Sequence, residues 1–317
     1  MQYRMLGRTG LKVSRLCFGA LTVGPCQAAM SPEAGGAVIA RAFELGVNFV
    51  DTAQLYQSYA HIAAAFRSAQ ARDIVIASKT YAYERDAALK AVEEARRALD
   101  RDVIDIFLLH EQESAHTLRG HAAAIEALYF LKAQNRIRAV GISTHCVAGV
   151  YAAIEAGLDV VHPLLNLTGY GILDGTRDEM DAACREAAIN GLGVYLMKPF
   201  GGGNLLARSA DCLAYSLERD YAASVAVGMQ SLLEVEANVY FAENGCFLPS
   251  HAERLSQTRR RLLVEDWCVG CGVCETACPQ GAIRVDAETR KAVCDVARCV
   301  TCGYCGVACP QSCLKII

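Results

Sequence analysis

Short apolar runs alternate with amphipathic stretches over about the first 245 residues. The apolar runs at 13–19, 47–50, 73–78, 103–109, 137–143, 158–162, 192–197 and 223–228 have the length and the β-branched content of buried strands. Helix-like segments lie between them at 32–45, 84–99, 117–134, 147–157, 176–190 and 231–243. Strands that alternate with helices imply parallel pairing through helical crossovers. Eight such repeats in about 245 residues match a (β/α)8 TIM barrel. A doubly wound sheet competes, but no G-x-G-x-x-G follows the first strand, which disfavours a dinucleotide-binding domain of that type.

In a barrel of this kind, chemistry belongs at the C-terminal ends of the strands. The second apolar run leads into Asp51 of DTAQLY, with Tyr56 five residues further on. The third ends at Lys79, the fourth at His110, and the fifth at Ser143 and His145. A lone Asp or His at such a place reads as a satisfied structural residue. A lysine that ends an apolar strand is different, because an unpaired charge there is costly. Asp51, Tyr56, Lys79 and His110 together form a candidate catalytic set.

The last 50 residues are of another kind. Ten of the sixteen cysteines lie there, against six in residues 1–267. CVGCGVCETACP begins at Cys268, and CVTCGYCGVACP follows thirty-one residues later at Cys299. Both read C-x2-C-x2-C-x3-C-P, the pattern of bacterial two-cluster ferredoxins, in which the fourth cysteine of each run ligates the other cluster. One 4Fe–4S cluster then takes Cys268, Cys271, Cys274 and Cys309, and a second takes Cys299, Cys302, Cys305 and Cys278. Zinc knuckles and disulfides are the competing uses of cysteine; Cys294 and Cys313 fall outside the pattern and read as small core residues.

The division expected is a barrel over 1–248, a linker over 249–263 that carries the RRR run 259–261, and a small α+β ferredoxin-like unit over 264–317. Net charge is −3, with 53% hydrophobic and 21% charged residues. That balance fits a globular chain and argues against a nucleic-acid binder. No apolar stretch is long enough to span a membrane, and the charged start (Arg4, Arg8, Lys12, Arg15) is unlike a secretory leader. The expectation is a cytoplasmic protein in a thiol-reducing compartment.

The phrases LGRTGLKVSRLCFGA, NFVDTAQLY, VIASKT, DIFLLH, AVGIST and YLMKPFGGG stand in the order found in aldo-keto reductases. Roughly residues 3–245 resemble that superfamily, and in particular its bacterial branch with a C-terminal ferredoxin domain. The resemblance implies carbonyl–alcohol interconversion, with Asp51, Tyr56, Lys79 and His110 on the four positions of the active-site tetrad. Tyr56 is then general acid in reduction and general base in oxidation, with Lys79 expected to lower its pKa. His110 orients the substrate oxygen.

The same resemblance implies NAD(P)(H). Ser143 and Thr144 fall where the nicotinamide carboxamide is held, Lys198, Phe200, Gly201 and Gly202 where the pyrophosphate lies, and Gly228 to Asn238 where the adenine-ribose motif runs. That last segment has no Lys or Arg, which leaves NADP and NAD as alternatives. The implied partners are a small carbonyl or alcohol and a redox partner protein. The competing functional class is an electron-transfer or docking subunit whose barrel has little turnover.

Overall fold

The computed structural model of the chain describes residues 1–68 and 73–317. A hairpin of β1 (Tyr3–Met5) and β2 (Lys12–Ser14) precedes the barrel. Eight parallel strands then close on themselves: β3 (Leu16–Gly19), β4 (Phe49–Asp51), β5 (Val75–Thr80), β6 (Ile104–Leu109), β7 (Ile137–Thr144), β8 (Val160–Pro163), β9 (Gly193–Met197) and β10 (Ser224–Gly228). Pairing runs in chain order, with β10 returning to β3 through Val225↔Leu16. This is the TIM barrel that the alternating pattern predicts.

Around it lie α1 (Pro32–Glu44), α2 (Tyr59–Ser68), α3 (Arg85–Ala98), α4 (Ala115–Gly120), α5 (Ala122–Ala133), α6 (Val147–Glu155), α7 (Arg177–Ile189), α8 (Ser209–Leu217) and α9 (Leu232–Asn244). The predicted helix 117–134 is two helices, divided at His121. The apolar run 13–19 likewise divides at Arg15 into a hairpin strand and a barrel strand. Helices α2 and α8 lie outside the helix-like segments read from the sequence.

Strand side chains alternate between two cores, because successive Cβ atoms point to opposite faces. Cys17, Phe49, Ala77, Leu108, Val160 and Tyr195 fill the barrel interior together with Leu6, Leu11 and Val13 of the hairpin region. Leu6 packs on Gly193, at the start of β9, so the hairpin plugs the N-terminal end. The intervening residues, such as Val50, Ile76 and Phe107, face the helices.

Residues 249–263, expected as a linker, hold α10 (Pro249–Ser256) and most of β11 (Leu262–Val264). Proline at the first turn favours the helix start. The remainder is α11 (Val273–Ala277), β12 (Ile283–Val285), β13 (Ala292–Cys294), α12 (Tyr304–Ala308) and β14 (Leu314–Ile316). Strand β11 pairs antiparallel with β14, and β12 with β13. The sequence repeat thus reappears as two loop–helix–strand halves. No helix among the described residues is long and apolar enough to cross a membrane.

Candidate active site and cysteine cavities

Period-two alternation decides which strand-end residues meet. Asp51 follows Phe49, Lys79 follows Ala77 and His110 follows Leu108, so all three continue the inward row to the C-terminal rim. Lys79 Nζ donates to Asp51 Oδ2 at 2.7 Å and to Thr52 O at 2.8 Å. Lys79 is fully buried and Asp51 almost so. On the far side of the carboxylate, Tyr195 Oη donates to Asp51 Oδ1 at 2.9 Å. His162 stacks on Tyr195 with centroids 3.8 Å apart and lies with Nε2 3.7 Å from the same carboxylate oxygen. A buried ion pair is tolerated when its remaining valences are filled in this way.

Tyr56 enters from the 310 turn Gln54–Tyr56 after β4. Its ring lies under Lys79 Nζ, 4.8 Å from the centroid, and its hydroxyl is 3.4 Å from His110 Nε2. The four tetrad candidates therefore converge. The expected lowering of the Tyr56 pKa by Lys79 does not occur in this arrangement. The ammonium faces the ring and is turned toward Asp51 and Thr52 O, while burial, then Asp51, Glu111 and Cys26, push the phenol well above its usual value. Burial followed by the charge of Lys79 lowers His110 to about 2, so its imidazole is neutral. Among the described residues, His110 Nδ1 has no hydrogen-bond partner.

Tyr195, Tyr81 and Glu111 escaped the sequence reading. Tyr81 stacks on His110 at 4.5 Å and donates to Glu111 Oε2 at 2.5 Å. The inward alternation along 193–197 was the available signal for Tyr195; the loop residues Tyr81 and Glu111 carried none.

The residues expected to hold a nicotinamide are differently placed. Ser143 Oγ accepts from the Glu111 amide at 2.9 Å, and Thr144 Oγ1 donates to Cys146 O at 3.2 Å; both residues are fully buried. Lys198 Nζ lies 3.0 Å from His145 Nε2, and burial followed by Lys315 lowers its pKa to about 7. Phe200 packs on the core between the strands and the helices. In the Gly201–Gly202 turn, the amides of Gly201, Gly203, Asn204 and Leu205 all donate within the turn itself. Gly228 lies against Thr22, and Asn238 is buried in α9. Glu234 of that same helix pairs with Arg260 at 2.6 Å. One member of the RRR run, Arg260, is thus locked onto the barrel. A phosphate cradle needs free amides and open space; in this arrangement four amides of the turn are already engaged, and among the described residues that of Gly202 keeps no partner.

The tail contains two cavities. One is lined by Cys278, Cys299, Cys302 and Cys305; the other is lined by Cys268, Cys271, Cys274 and Cys309. These are the two crossed sets that the spacing predicts. Among the described residues no three His, Cys, Asp or Glu side chains converge as a single metal ion requires. Cysteines that ring a space fit the wider footprint of a cubane better than that of zinc. Backbone amides of Ala292 and Ala282 donate to Cys268 Sγ and Cys278 Sγ at 3.4 and 3.3 Å. A fifth cysteine lines each cavity: Cys294 the first and Cys313 the second, with Cys313 Sγ 3.4 Å from Cys309 Sγ.

Residues 15–212 match the aldo/keto reductase family, and the chain belongs to it. It is an oxidoreductase of aldo-keto reductase type. Residues 263–284 match the 4Fe-4S binding domain family. The chain is 27% identical to L-galactose dehydrogenase of Arabidopsis thaliana over 285 residues, 75% of this chain and 87% of that protein. Among solved structures, a candidate aldo-keto reductase from Pseudomonas aeruginosa superposes with TM-score 0.65 at 24% identity, covering 77% of this chain and 94% of that one. An aldo-keto reductase from Bacillus halodurans in its holo form superposes with TM-score 0.64 at 23% identity, covering 80% and 96%. The family and the tail together suggest iron–sulfur and nicotinamide cofactors.

Proposed function

We propose that the chain reduces a small carbonyl compound to an alcohol, with Tyr56 as proton donor and two 4Fe–4S clusters in the tail as its electron path. The observation that carries this reading is the convergence of Tyr56, Lys79, Asp51 and His110 at the mouth of a barrel whose tail holds two four-cysteine cavities. Cys268, Cys271, Cys274 and Cys309 would hold one cluster, and Cys299, Cys302, Cys305 and Cys278 the other. When bound, each cluster would pass one electron at a time, so reduction of one carbonyl would draw two electrons in succession from a redox partner protein, one proton from Tyr56 and a second proton from solvent. Residues 1–248 form the catalytic unit and 264–317 the iron–sulfur unit, with α10 and β11 joining them. The resemblance to a bacterial, cytoplasmic branch belongs to this reading.

The protein's own groups divide the work. Lys79 is held by Asp51 and Thr52 O, and it fixes the Tyr56 ring from one face. The phenol, kept protonated by burial, is in the state that a general acid needs to protonate a carbonyl oxygen. Its raised pKa favours reduction, since oxidation requires the phenolate. Neutral His110 hydrogen-bonds the same oxygen and orients it. Four amides of the Gly201–Gly202 turn are engaged by the turn's own carbonyls, which leaves the residues assigned to a nicotinamide few donors for it.

A second reading, an electron-transfer or docking subunit, draws on that same engagement of the Gly201–Gly202 turn. Anaerobic reconstitution followed by iron counting and a carbonyl-reduction assay separates the two. Eight irons per chain, with turnover that disappears in Tyr56→Phe, are expected. Four irons would refute the two-cluster path, and turnover undiminished in the variant would refute the role of Tyr56.

A further inference from the structure

The tail rests on the glycine turn at the barrel mouth. Ile316 N donates to Gly202 O at 3.1 Å, and Asn204 Nδ2 donates to Leu314 O at 2.9 Å. At Gly203 the approach is so close that only glycine fits: a Cβ there would stand 1.9 Å from Ile316 O. One on Gly202 would stand 2.7 Å from Cδ of the flexible Lys315 side chain. The opposite face is complementary. Asn204 wedges against α12, where a Cβ on Gly306 would stand 1.9 Å from Asn204 Oδ1 and one on Gly303 2.4 Å from Asn204 O. The glycines of the 201–203 turn and those of α12 and its N-terminus, Gly303 and Gly306, are thus the two sides of a single interface. Nearby, Arg260 pairs with Glu234, and Arg261 Nη2 donates to Gln27 O at 3.3 Å.

We propose that the turn 201–204 is the docking seat of the iron–sulfur unit, and that the docked tail and the pyrophosphate of a nicotinamide dinucleotide exclude each other there. This rests on the proposed function, which makes the barrel mouth a reductase site. On the side of Gly202 and Gly203 that β14 covers there is no room for a methyl group and hence none for a phosphoryl group, and four of the turn's amides, at 201, 203, 204 and 205, already donate internally, which leaves that of Gly202. A dinucleotide reaches the seat only after β14 leaves it. The two-electron carrier and the docked one-electron clusters therefore do not face Tyr56 at the same time.

The test measures NADH and NADPH affinity anaerobically on the reconstituted full chain and on two variants from opposite sides of the interface, Asn204→Ala and Gly306→Ala. Iron content and proteolytic nicking within 257–262 are followed in each. Undocking predicts faster nicking at unchanged iron, and apparent affinity for one of the dinucleotides at least ~10-fold tighter than in the intact chain. The factor reflects the larger fraction of chains with an open seat. Equal affinity in undocked variants and intact chain would overturn the exclusion, as would undocked variants that bind neither dinucleotide. Unchanged nicking in both variants would overturn the docking seat. None of these readouts depends on Tyr56, so failure of the proposed reaction registers separately, in the iron count and the Tyr56→Phe assay.

Discussion

The floor of the barrel mouth and its rim obey different rules. At the floor, Asp51, Lys79 and His110 come from three strands and Tyr56 from a following turn, yet they meet with their polar groups largely paired. At the rim, Gly201, Gly202 and Gly203 are contiguous and look like a ligand loop, yet the partner of Gly202 and Gly203 is the chain's own β14. The floor is built by residues whose direction follows from strand alternation. The rim is a loop, and a loop's partner depends on whatever folds over it. A motif of the right residues thus names its chemistry more securely on a strand than on a turn.

If the floor works as a unit, Tyr56→Phe should lower carbonyl reduction by ~10²–10⁴, the usual weight of a general acid, with cluster absorbance unchanged. A loss below tenfold would mean that the floor is structural. Lys79→Met comes next: it strands the Asp51 carboxylate in a buried site, at a cost of about 3–5 kcal/mol in urea unfolding. A variant as stable as the parent would show that Tyr195 and His162 suffice to hold Asp51.

The rim should respond more gently. Glu234→Gln removes the partner of Arg260 and should cost about 1 kcal/mol, given that both groups retain some exposure. It should also speed nicking within 257–262; a change in turnover without a change in nicking would contradict the separation of floor and rim.

Lys198 supplies a pH signature. Its folded pKa, about 7, lies below the ordinary 10.5, so between these values the unfolded chain binds the extra proton. Stability should rise with pH across that window, and the cost is present in full below it. Lys198→Met should flatten the rise, read as unfolding midpoint against pH. The smallest expected effect is that of Cys313→Ser, which should leave the iron count unchanged because each cavity already has four other cysteines. Loss of iron in that variant would make Cys313 a ligand.

Much of this molecule was legible from residue order alone. The barrel follows from eight apolar runs because buried parallel strands need apolar residues on both faces. Asp51, Lys79 and His110 could be placed because each ends such a run. The crossed cysteine sets followed from spacing, since a tight loop can offer only three thiolates to one cubane. The hidden part is of another nature. Tyr195 sits inside a strand that reads simply as apolar, and Glu111 and Tyr81 lie in loops without a pattern. The high pKa of Tyr56 comes first from its burial and then from Asp51, Glu111 and Cys26, an environment that no spacing encodes. The glycines at 201–203, 303 and 306 announced close approach, but the approaching group was invisible. Local sequence determines backbone freedom and side-chain type; the occupant of the space so created was decided by where the last strand, more than a hundred residues further along, came to rest.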